Sequence, residues 1–123
     1  MIETSFCFLA GVGHRTERRW WQQGVNTWAD FLCARSIPRI GSIRKAYYDE
    51  ELRRALEHLE HEDARYFANK SHASDQWRLY EWLRSRAVYL DIDTNSFGQI
   101  TVVGRYGHGG FTSLVDGDFL TRQ

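Results

Sequence analysis

Three strand-like segments separated by turn residues make up the last third of the chain. Residues 87–92, 99–106 and 111–115 are rich in apolar and β-branched side chains. Gly107-His108-Gly109-Gly110 joins the last two segments, and Asp116-Gly117 follows the third. Glycine and aspartate at such positions are typical of tight hairpin turns. The pattern predicts a meander of three antiparallel strands.

The segment near the N-terminus is typical of a pair of short helices. One helix is predicted from about Arg15 to Gln23, with Gly24 as its stop signal. A second helix is predicted from Trp28 to Ala34, with Asn26 or Thr27 as its cap. The small core predicted for this pair consists of Val12, Trp20, Val25, Trp28, Phe31 and Leu32.

Residues 42–85 show a longer helical pattern, with Glu and Arg alternating on the polar face. Its apolar residues at helical spacing are Ile43, Tyr47, Leu52, Leu56, Leu59, Tyr66 and Phe67. A break is predicted at Asn69–Ala73, before a shorter helix that ends near Leu83. The predicted fold class is therefore α+β. Its predicted segments are a helical hairpin at 1–36, a helical connector at 37–85 and the meander at 86–123.

Basic and acidic residues are equal in number, at 16 each, but they are unevenly distributed. Residues 1–45 hold seven basic and three acidic residues, so the remainder is acidic overall. A basic part beside an acidic part suggests a polyanion as the partner of the one and a cation as the partner of the other. Solvated surface charge explains the asymmetry equally well.

The two cysteines, Cys7 and Cys33, form neither a Cys-x-x-Cys motif nor the spacing of a zinc site. Both lie among apolar residues, which predicts small buried side chains in a reducing compartment. The sequence shows no secretory signal and no membrane-spanning run. We therefore expect a cytoplasmic protein with no membrane partner.

A glycine-rich turn, expected between two helices, offers backbone amides to a ligand. Without side chains these amides can approach a phosphate closely, and the following helix adds the positive end of its dipole. Three arginines behind the turn supply further positive charge. The residues that this arrangement assigns to nucleic-acid phosphate are Gly11, Val12, Gly13, Arg15, Arg18 and Arg19. Packing and protein contact are alternative uses of such a turn.

Two aspartates continue the first predicted strand. Residues two apart in a strand share a face, so Asp91 and Asp93 project together while Leu90 and Ile92 face a core. The two carboxylates repel each other unless a cation lies between them. Mg²⁺ and Mn²⁺ prefer carboxylate oxygens, and a pair of such ions activates water for phosphodiester hydrolysis. A strand end whose acids only reach water is the alternative.

The two motifs together resemble those of ribonuclease H-like 3′–5′ exonucleases of the DEDD superfamily. The stretch AVYLDIDTNSFGQITVVGRY at 87–106 is similar to the first metal-binding motif of that family. GVGHRTERRWWQQGVNTWADFL at 11–32 resembles the helix-hairpin-helix that precedes the nuclease domain in predicted exonucleases of the YprB type. The resemblance spans nearly the whole chain. It implies that Asp91 and Asp93 are catalytic residues that bind Mg²⁺ or Mn²⁺.

The chain departs from the family pattern at three places. Asp93 stands where the family has Glu, which draws the carboxylate back by about 1 Å or more. Asn95-Ser96-Phe97 replaces the usual Thr-Gly-Leu. The later strands and acids of such a nuclease are missing, since Asp116 and Asp118 fall where a turn is expected. The resemblance therefore implies only the N-terminal portion of a ribonuclease H-like domain at 86–123.

These observations lead to two functional expectations. The first is a nucleic-acid-associated protein of a metal-dependent exonuclease family, which contacts DNA or RNA backbone and is incomplete as a catalyst alone. The second is a non-catalytic module that binds nucleic acid or protein. In either case the outer edge of the strand at 87–92 lacks a partner strand. We expect a second chain, self-association or the chain's own helices to cover that edge.

Overall fold

The computed structural model describes residues 2–115, which form two compact units that divide between Trp82 and Leu83. The predicted α+β class is confirmed, because these residues contain five α-helices and one three-stranded antiparallel sheet. Asp116, Gly117 and Asp118, which the sequence places in a turn after the third strand, lie outside the described residues.

The elements follow one another in the predicted order, helices first and strands last. The α-helices are α1 (His14–Gln22), α2 (Trp28–Cys33), α3 (Ser42–Glu60), α4 (Ala64–Lys70) and α5 (Trp77–Leu83). Short 3-10 helices span Ile2–Thr4, Ala73–Asp75 and Arg84–Arg86. The strands are β1 (Tyr89–Thr94), β2 (Ile100–Gly107) and β3 (Gly110–Val115). Within residues 2–115, no helix is both long and apolar enough to cross a membrane.

The predicted stop and start signals of the first two helices are confirmed. Gly24 follows the end of α1 with a φ of 87°, a backbone conformation that only glycine adopts without strain. Thr27, one of the two predicted caps, begins α2, and its side chain accepts from the Asp30 N–H at 3.1 Å. The Asp30 carboxylate accepts from the Thr27 N–H in return at 2.8 Å. This reciprocal capping box satisfies two N–H groups at the helix start.

The prediction of one long helix as far as residue 68 is wrong. The helix α3 ends at Glu60, and Glu62 has a φ of 52°, outside the helical region. The Asp63 side chain then caps α4 by accepting from the Tyr66 N–H at 3.1 Å. An aspartate that satisfies the first N–H groups of a new helix favours a restart over continuation of the old one.

The buried face of α3 is also shifted from the predicted one. Ile43 and Tyr47, expected in the core, are 88% and 50% exposed. Leu52 is buried as predicted, and the residues buried with it on α3 are Tyr48 and Ala55, at the i, i+4, i+7 spacing of one helix face. The first turn of α3 therefore presents its apolar residues to solvent.

The core of the helical unit is mainly aromatic. Its largest buried side chains are Phe6, Trp20, Trp28, Phe31 and Phe67. The Phe6 and Trp20 rings meet edge to face at 5.2 Å, and the Trp28 and Phe67 rings stack at 6.0 Å. All but one of the core residues predicted for the first two helices are buried, and Leu32 is partly buried against them. This core holds the N-terminal segment, α1 and α2 in place.

The two cysteines differ in their surroundings. Cys7 is buried as predicted, whereas Cys33 is exposed at the end of α2. The prediction for Cys33 is wrong because α2 turns its neighbours Phe31 and Leu32 towards the core and leaves position 33 on the solvent side.

The sheet has the predicted meander topology, with β1 and β3 at its edges. Asp91 pairs with Gly104 of β2, and Asp93 pairs with Val102. All residues of β1 are exposed, so the expectation that Leu90 and Ile92 face a core is wrong. The described part of this unit contains only a 3-10 turn besides its strands, so nothing within it can cover that face.

Candidate functional site

The glycine-rich turn lies immediately before α1. Gly11 has a φ of 78°, a conformation that favours glycine. Gly13 caps α1 without a side-chain acceptor, and its carbonyl accepts from the Thr16 and Glu17 N–H groups at 3.0 Å each. The Val12 N–H donates to the Leu9 carbonyl at 3.0 Å, and the Val12 side chain is buried. Of the three predicted turn residues, Val12 therefore contributes its side chain to the hydrophobic core.

The segment before the turn differs from the expected helix. Residues 2–10 contain a 3-10 helix at Ile2–Thr4 and tight turns, in which the Leu9 N–H donates to the Phe6 carbonyl at 3.0 Å. These turns direct Phe6 and Leu9 into the core. Both neighbouring helices, α1 and α2, follow the glycine-rich turn instead of flanking it, and residues 23–27 connect them.

A small pocket of about 130 Å³, the arginine pocket, opens beside the glycine-rich turn. Its walls include Gly11 of the turn and three arginines, Arg19 from α1, Arg44 from α3, and Arg39 from the connection between α2 and α3. Among the described residues that line the pocket there is no carboxylate. Within residues 2–115 none of the three guanidinium groups has an ion-pair partner. Unpaired positive charge of this kind attracts an anion.

Two helix starts border the arginine pocket. Thr16 lies in the first turn of α1, and Arg44 lies in the first turn of α3. Gly41 caps α3 and, like the cap of α1, contributes no side-chain acceptor. Each helix start therefore adds the positive partial charge of its dipole. The Tyr48 hydroxyl donates to the Ala10 carbonyl at 2.7 Å, which ties α3 to the glycine-rich turn.

Arg39 has an uncommon backbone conformation. Its φ is 66°, which costs a residue other than glycine about 1–2 kcal/mol. The Ile40 N–H donates to the Ile37 carbonyl at 3.1 Å and closes a tight turn around it. Backbone strain of this kind is concentrated at binding sites, where the surrounding structure holds it in place.

The three predicted arginines of α1 lie together. Arg15, Arg18 and Arg19 line a shallower pocket of about 470 Å³, the outer basic pocket, with His14 and Gln22. Arg19 also lines the arginine pocket, so the two basic pockets are neighbours along α1. The structure thus places the predicted arginines beside the glycine-rich turn. Arg39 and Arg44 were not predicted, and only the basic character of residues 1–45 hinted at them.

The predicted metal ligands lie on β1 in the sheet unit. Asp91 and Asp93 are exposed, and within residues 2–115 neither carboxylate has a hydrogen-bond or ion-pair partner. Mg²⁺ commonly binds one or two carboxylates and keeps several waters, so the pair fits one such ion. No third acid joins the pair in the described part of the chain. A two-metal centre is therefore not assembled from these residues alone.

A buried ion pair connects α1 with α5. Glu17 accepts from Arg78 Nη1 and Nη2, each at 2.8 Å, and from the Phe6 N–H at 2.7 Å. Burial raises the pKa of Glu17, but the bonds from Arg78 and Phe6 outweigh it and hold that pKa below its ordinary value. The bonds that Arg78 donates to Glu17 raise the pKa of Arg78 in turn. The guanidinium also packs 5.8 Å from the Trp21 ring and 5.3 Å from the Trp77 ring.

Three side chains able to bind a metal meet beside this ion pair. One ligand atom each of Cys7, His14 and Glu17 lies within 4.8 Å of the others. His14 Nδ1 is 3.6 Å from Cys7 Sγ, and His14 Nε2 is 3.6 Å from Oδ1 of the buried Asp75. Burial, followed by the negative charge of Glu17, raises the pKa of the Cys7 thiol to about 12, so the thiol holds its proton. No motif in the sequence indicates this cluster.

No protein-family model, no curated protein and no solved structure matches this chain. The nuclease resemblance consequently depends on residues 11–32 and 87–106 alone.

Proposed function

We propose that the helical unit binds the sugar-phosphate backbone of a nucleic acid at the glycine-rich turn. The observation that carries the proposal is the arginine pocket, in which Arg19, Arg39 and Arg44 lie beside two helix starts that have no side-chain cap, with no carboxylate among the described lining residues. A phosphate oxygen accepts hydrogen bonds from guanidinium groups and from free helix N–H groups. The proposed contacts therefore match the donors that the site offers.

The neighbouring outer basic pocket favours a polyanion over a single small phosphate. Arg19 lines both pockets, and Arg15 and Arg18 continue the positive surface along α1. A chain of phosphates can occupy both pockets at once, whereas an isolated phosphate fills only one. Contacts of this type position a nucleic acid without reading its bases. We therefore propose binding that is independent of sequence and strongly dependent on salt.

Binding measured by fluorescence anisotropy against salt concentration tests the proposal. The probes are single- and double-stranded DNA and RNA oligonucleotides of mixed sequence. Arg39→Ala and Arg44→Ala should each weaken binding to all sequences alike and lower the magnitude of the salt slope by about one. The physical reason is that each substitution removes one phosphate contact and the counterion release that accompanies it.

Arg53→Ala is the matched control, because Arg53 lies on the same helix as Arg44 but is 61% exposed and 3.9 Å from Glu50. It should leave both the affinity and the salt slope unchanged. Equal affinities for wild type, Arg44→Ala and Arg53→Ala would contradict the proposal. In that case the second expectation, a module that contacts protein partners, would be favoured.

As a second candidate we propose that the sheet unit supplies half of a metal-dependent nuclease site, as the resemblance to ribonuclease H-like exonucleases implies. The supporting observation is that Asp91 and Asp93 share an exposed strand and lack partners within residues 2–115. Like charges without a counter-ion are suited to Mg²⁺ or Mn²⁺. A further strand paired with the outer edge of β1, supplied by a different chain, would bring the remaining acids.

Hydrolysis of labelled DNA and RNA ends with Mg²⁺ or Mn²⁺ tests this second candidate. Asp91→Asn should abolish any metal-dependent cleavage, since the substitution removes a ligand charge and leaves the strand intact. Glu50→Gln, on the helical unit at a side chain that is 64% exposed, is the control and should cleave like wild type. Cleavage that is the same in wild type and Asp91→Asn would exclude Asp91 as a catalytic ligand.

A further inference from the structure

The side chains of Cys7, His14 and Glu17 converge where the N-terminal segment meets the first turns of α1. We propose that Cys7 Sγ, His14 Nδ1 and a Glu17 carboxylate oxygen bind one zinc ion. The site is separate from the arginine pocket and does not depend on nucleic-acid binding. Thiolate, imidazole and carboxylate are the donors that zinc accepts, whereas Mg²⁺ and Ca²⁺ select oxygen donors.

The distance between the sulfur and the nitrogen matches a zinc site. Zinc binds sulfur at about 2.3 Å and imidazole nitrogen at about 2.0–2.1 Å, so the two donors of a tetrahedral site lie about 3.6 Å apart. Cys7 Sγ and His14 Nδ1 are separated by 3.6 Å. An ion can therefore enter between them with little movement of either side chain.

Asp75 lies where a zinc-bound histidine commonly has its second partner. A histidine that binds a metal through one ring nitrogen usually donates from the other to a carboxylate, which fixes the ring. The Nε2 atom of His14 is 3.6 Å from Asp75 Oδ1. Asp75 is 4% exposed, and its Oδ1 has no hydrogen-bond partner within residues 2–115. Arg78 Nε also lies 3.6 Å from this oxygen, which is beyond hydrogen-bond distance. The Nε2 atom of a metal-bound His14 ring would supply the missing donor.

Glu17 can bind the ion without releasing Arg78. Its Oε1 atom accepts from the Phe6 N–H and from Arg78 Nη1, and its Oε2 atom accepts from Arg78 Nη2. A carboxylate oxygen has two acceptor positions, so Oε2 retains one for a metal. The buried ion pair and the zinc site are therefore compatible.

The charges of the cluster balance when zinc is bound. The Cys7 thiolate, Glu17 and Asp75 carry three negative charges, and Arg78 carries one positive charge. One divalent cation neutralises the remainder.

The cluster has a route to solvent. His14 and Glu17 also line a surface pocket of about 340 Å³, with Trp21, Trp77 and Arg78 among its walls. The His14 side chain is 51% exposed, although Cys7 and Glu17 are buried. Three protein ligands leave a fourth position of a tetrahedral ion for water. The pocket is large enough to supply that water.

Cobalt titration of the full chain, freed of metal with a chelator, tests the proposal. Co²⁺ replaces Zn²⁺ and gives a thiolate-to-cobalt charge-transfer band only when a cysteine binds it. Wild type should bind one equivalent with this band, and Zn²⁺ should displace the cobalt. Cys7→Ser and His14→Gln should lose the band, and Asp75→Asn should weaken binding about 10- to 100-fold.

Cys33→Ser is the matched control, because Cys33 is the other cysteine and is exposed. It should retain the band and the affinity of wild type. His14→Gln keeps the test decisive if Cys7→Ser does not fold, since the His14 side chain is half exposed. Absence of one-equivalent binding by wild type would overturn the proposal. So would a band that survives in Cys7→Ser and disappears in Cys33→Ser.

Discussion

Arg78→Ala is expected to lower the free energy of unfolding of the helical unit by about 3–5 kcal/mol. The substitution leaves the Glu17 carboxylate, which is 1% exposed, buried without its counter-charge. It also removes the two bonds of 2.8 Å that Arg78 donates to that carboxylate. Urea unfolding followed by the helical circular dichroism signal measures the change. A loss of this size is a large fraction of the stability of an ordinary domain.

The effect of Arg78→Ala should depend on pH in a direction fixed by Glu17. The pKa of Glu17 is lowered in the fold, so the ion pair stabilises the protein above the unfolded pKa of about 4.3. This contribution is lost as the pH falls through the folded pKa. In Arg78→Ala, burial of Glu17 instead favours the protonated form. The difference between wild type and variant should therefore be largest near neutral pH and shrink in acid.

Two variants show whether the buried charge is the cause. Arg53→Ala removes an exposed arginine that lies 3.9 Å from Glu50, and it should change stability by no more than about 0.5 kcal/mol. Glu17→Gln combined with Arg78→Ala should be no less stable than Arg78→Ala alone, because no unpaired charge is then buried. Equal losses for Arg78→Ala and Arg53→Ala would contradict this account.

Local signals in the sequence predict the boundary between the first two helices and the meander well. Gly24 was identified as a stop signal and Thr27 as one of two candidate caps, since capping depends on a few neighbouring residues. The turn at 107–110 likewise located the second hairpin. Interactions of this kind are contained within a short stretch of chain, so one sequence is enough to predict them.

The register of α3 was not predictable in the same way. Tyr47 and Tyr48 are adjacent, and either can begin an apolar face at helical spacing. The hydrogen bond from the Tyr48 hydroxyl to the Ala10 carbonyl fixes the choice, and it joins residues 38 apart in sequence. The partner elements of a helix decide which of two similar faces is buried.

In the candidate sites too, residues that are close in sequence were predicted together, whereas residues that only the fold brings together were not. The glycine-rich turn and the arginines of α1 lie within one stretch and were predicted together. Arg39 and Arg44 reach the glycine-rich turn only because of the path that the chain takes after α2. No local sequence pattern predicts that path. Glu17 and Arg78 are 61 residues apart. The strand that carries Asp91 was predicted, whereas the absence of a covering layer within its described unit was not.

Trp28→Ala is expected to destabilise the helical unit by about 3–5 kcal/mol, the range for removal of a large buried aromatic side chain. Trp28 is 0% exposed. Its ring stacks on Phe67 at 6.0 Å and meets Phe8 edge to face at 5.4 Å. The substitution leaves a cavity where α2, α4 and the N-terminal segment meet. Urea unfolding followed by circular dichroism measures the loss.

Trp28→Phe removes the hydrogen bond of Trp28 but keeps most of its packing, so this variant separates the two contributions to stability. The indole Nε1 donates to the buried Ser5 carbonyl at 2.7 Å, and phenylalanine leaves that acceptor unpaired at a cost of about 1–3 kcal/mol. Trp77→Ala makes the same large-to-small change at a side chain that is 61% exposed, and it should cost about 1 kcal/mol or less. If the buried Trp28 side chain anchors the N-terminal segment, the loss of stability should be largest for Trp28→Ala, smaller for Trp28→Phe and smallest for Trp77→Ala. Similar losses for Trp28→Ala and Trp77→Ala would show that the aromatic core does not hold Ser5 and its neighbours against α2.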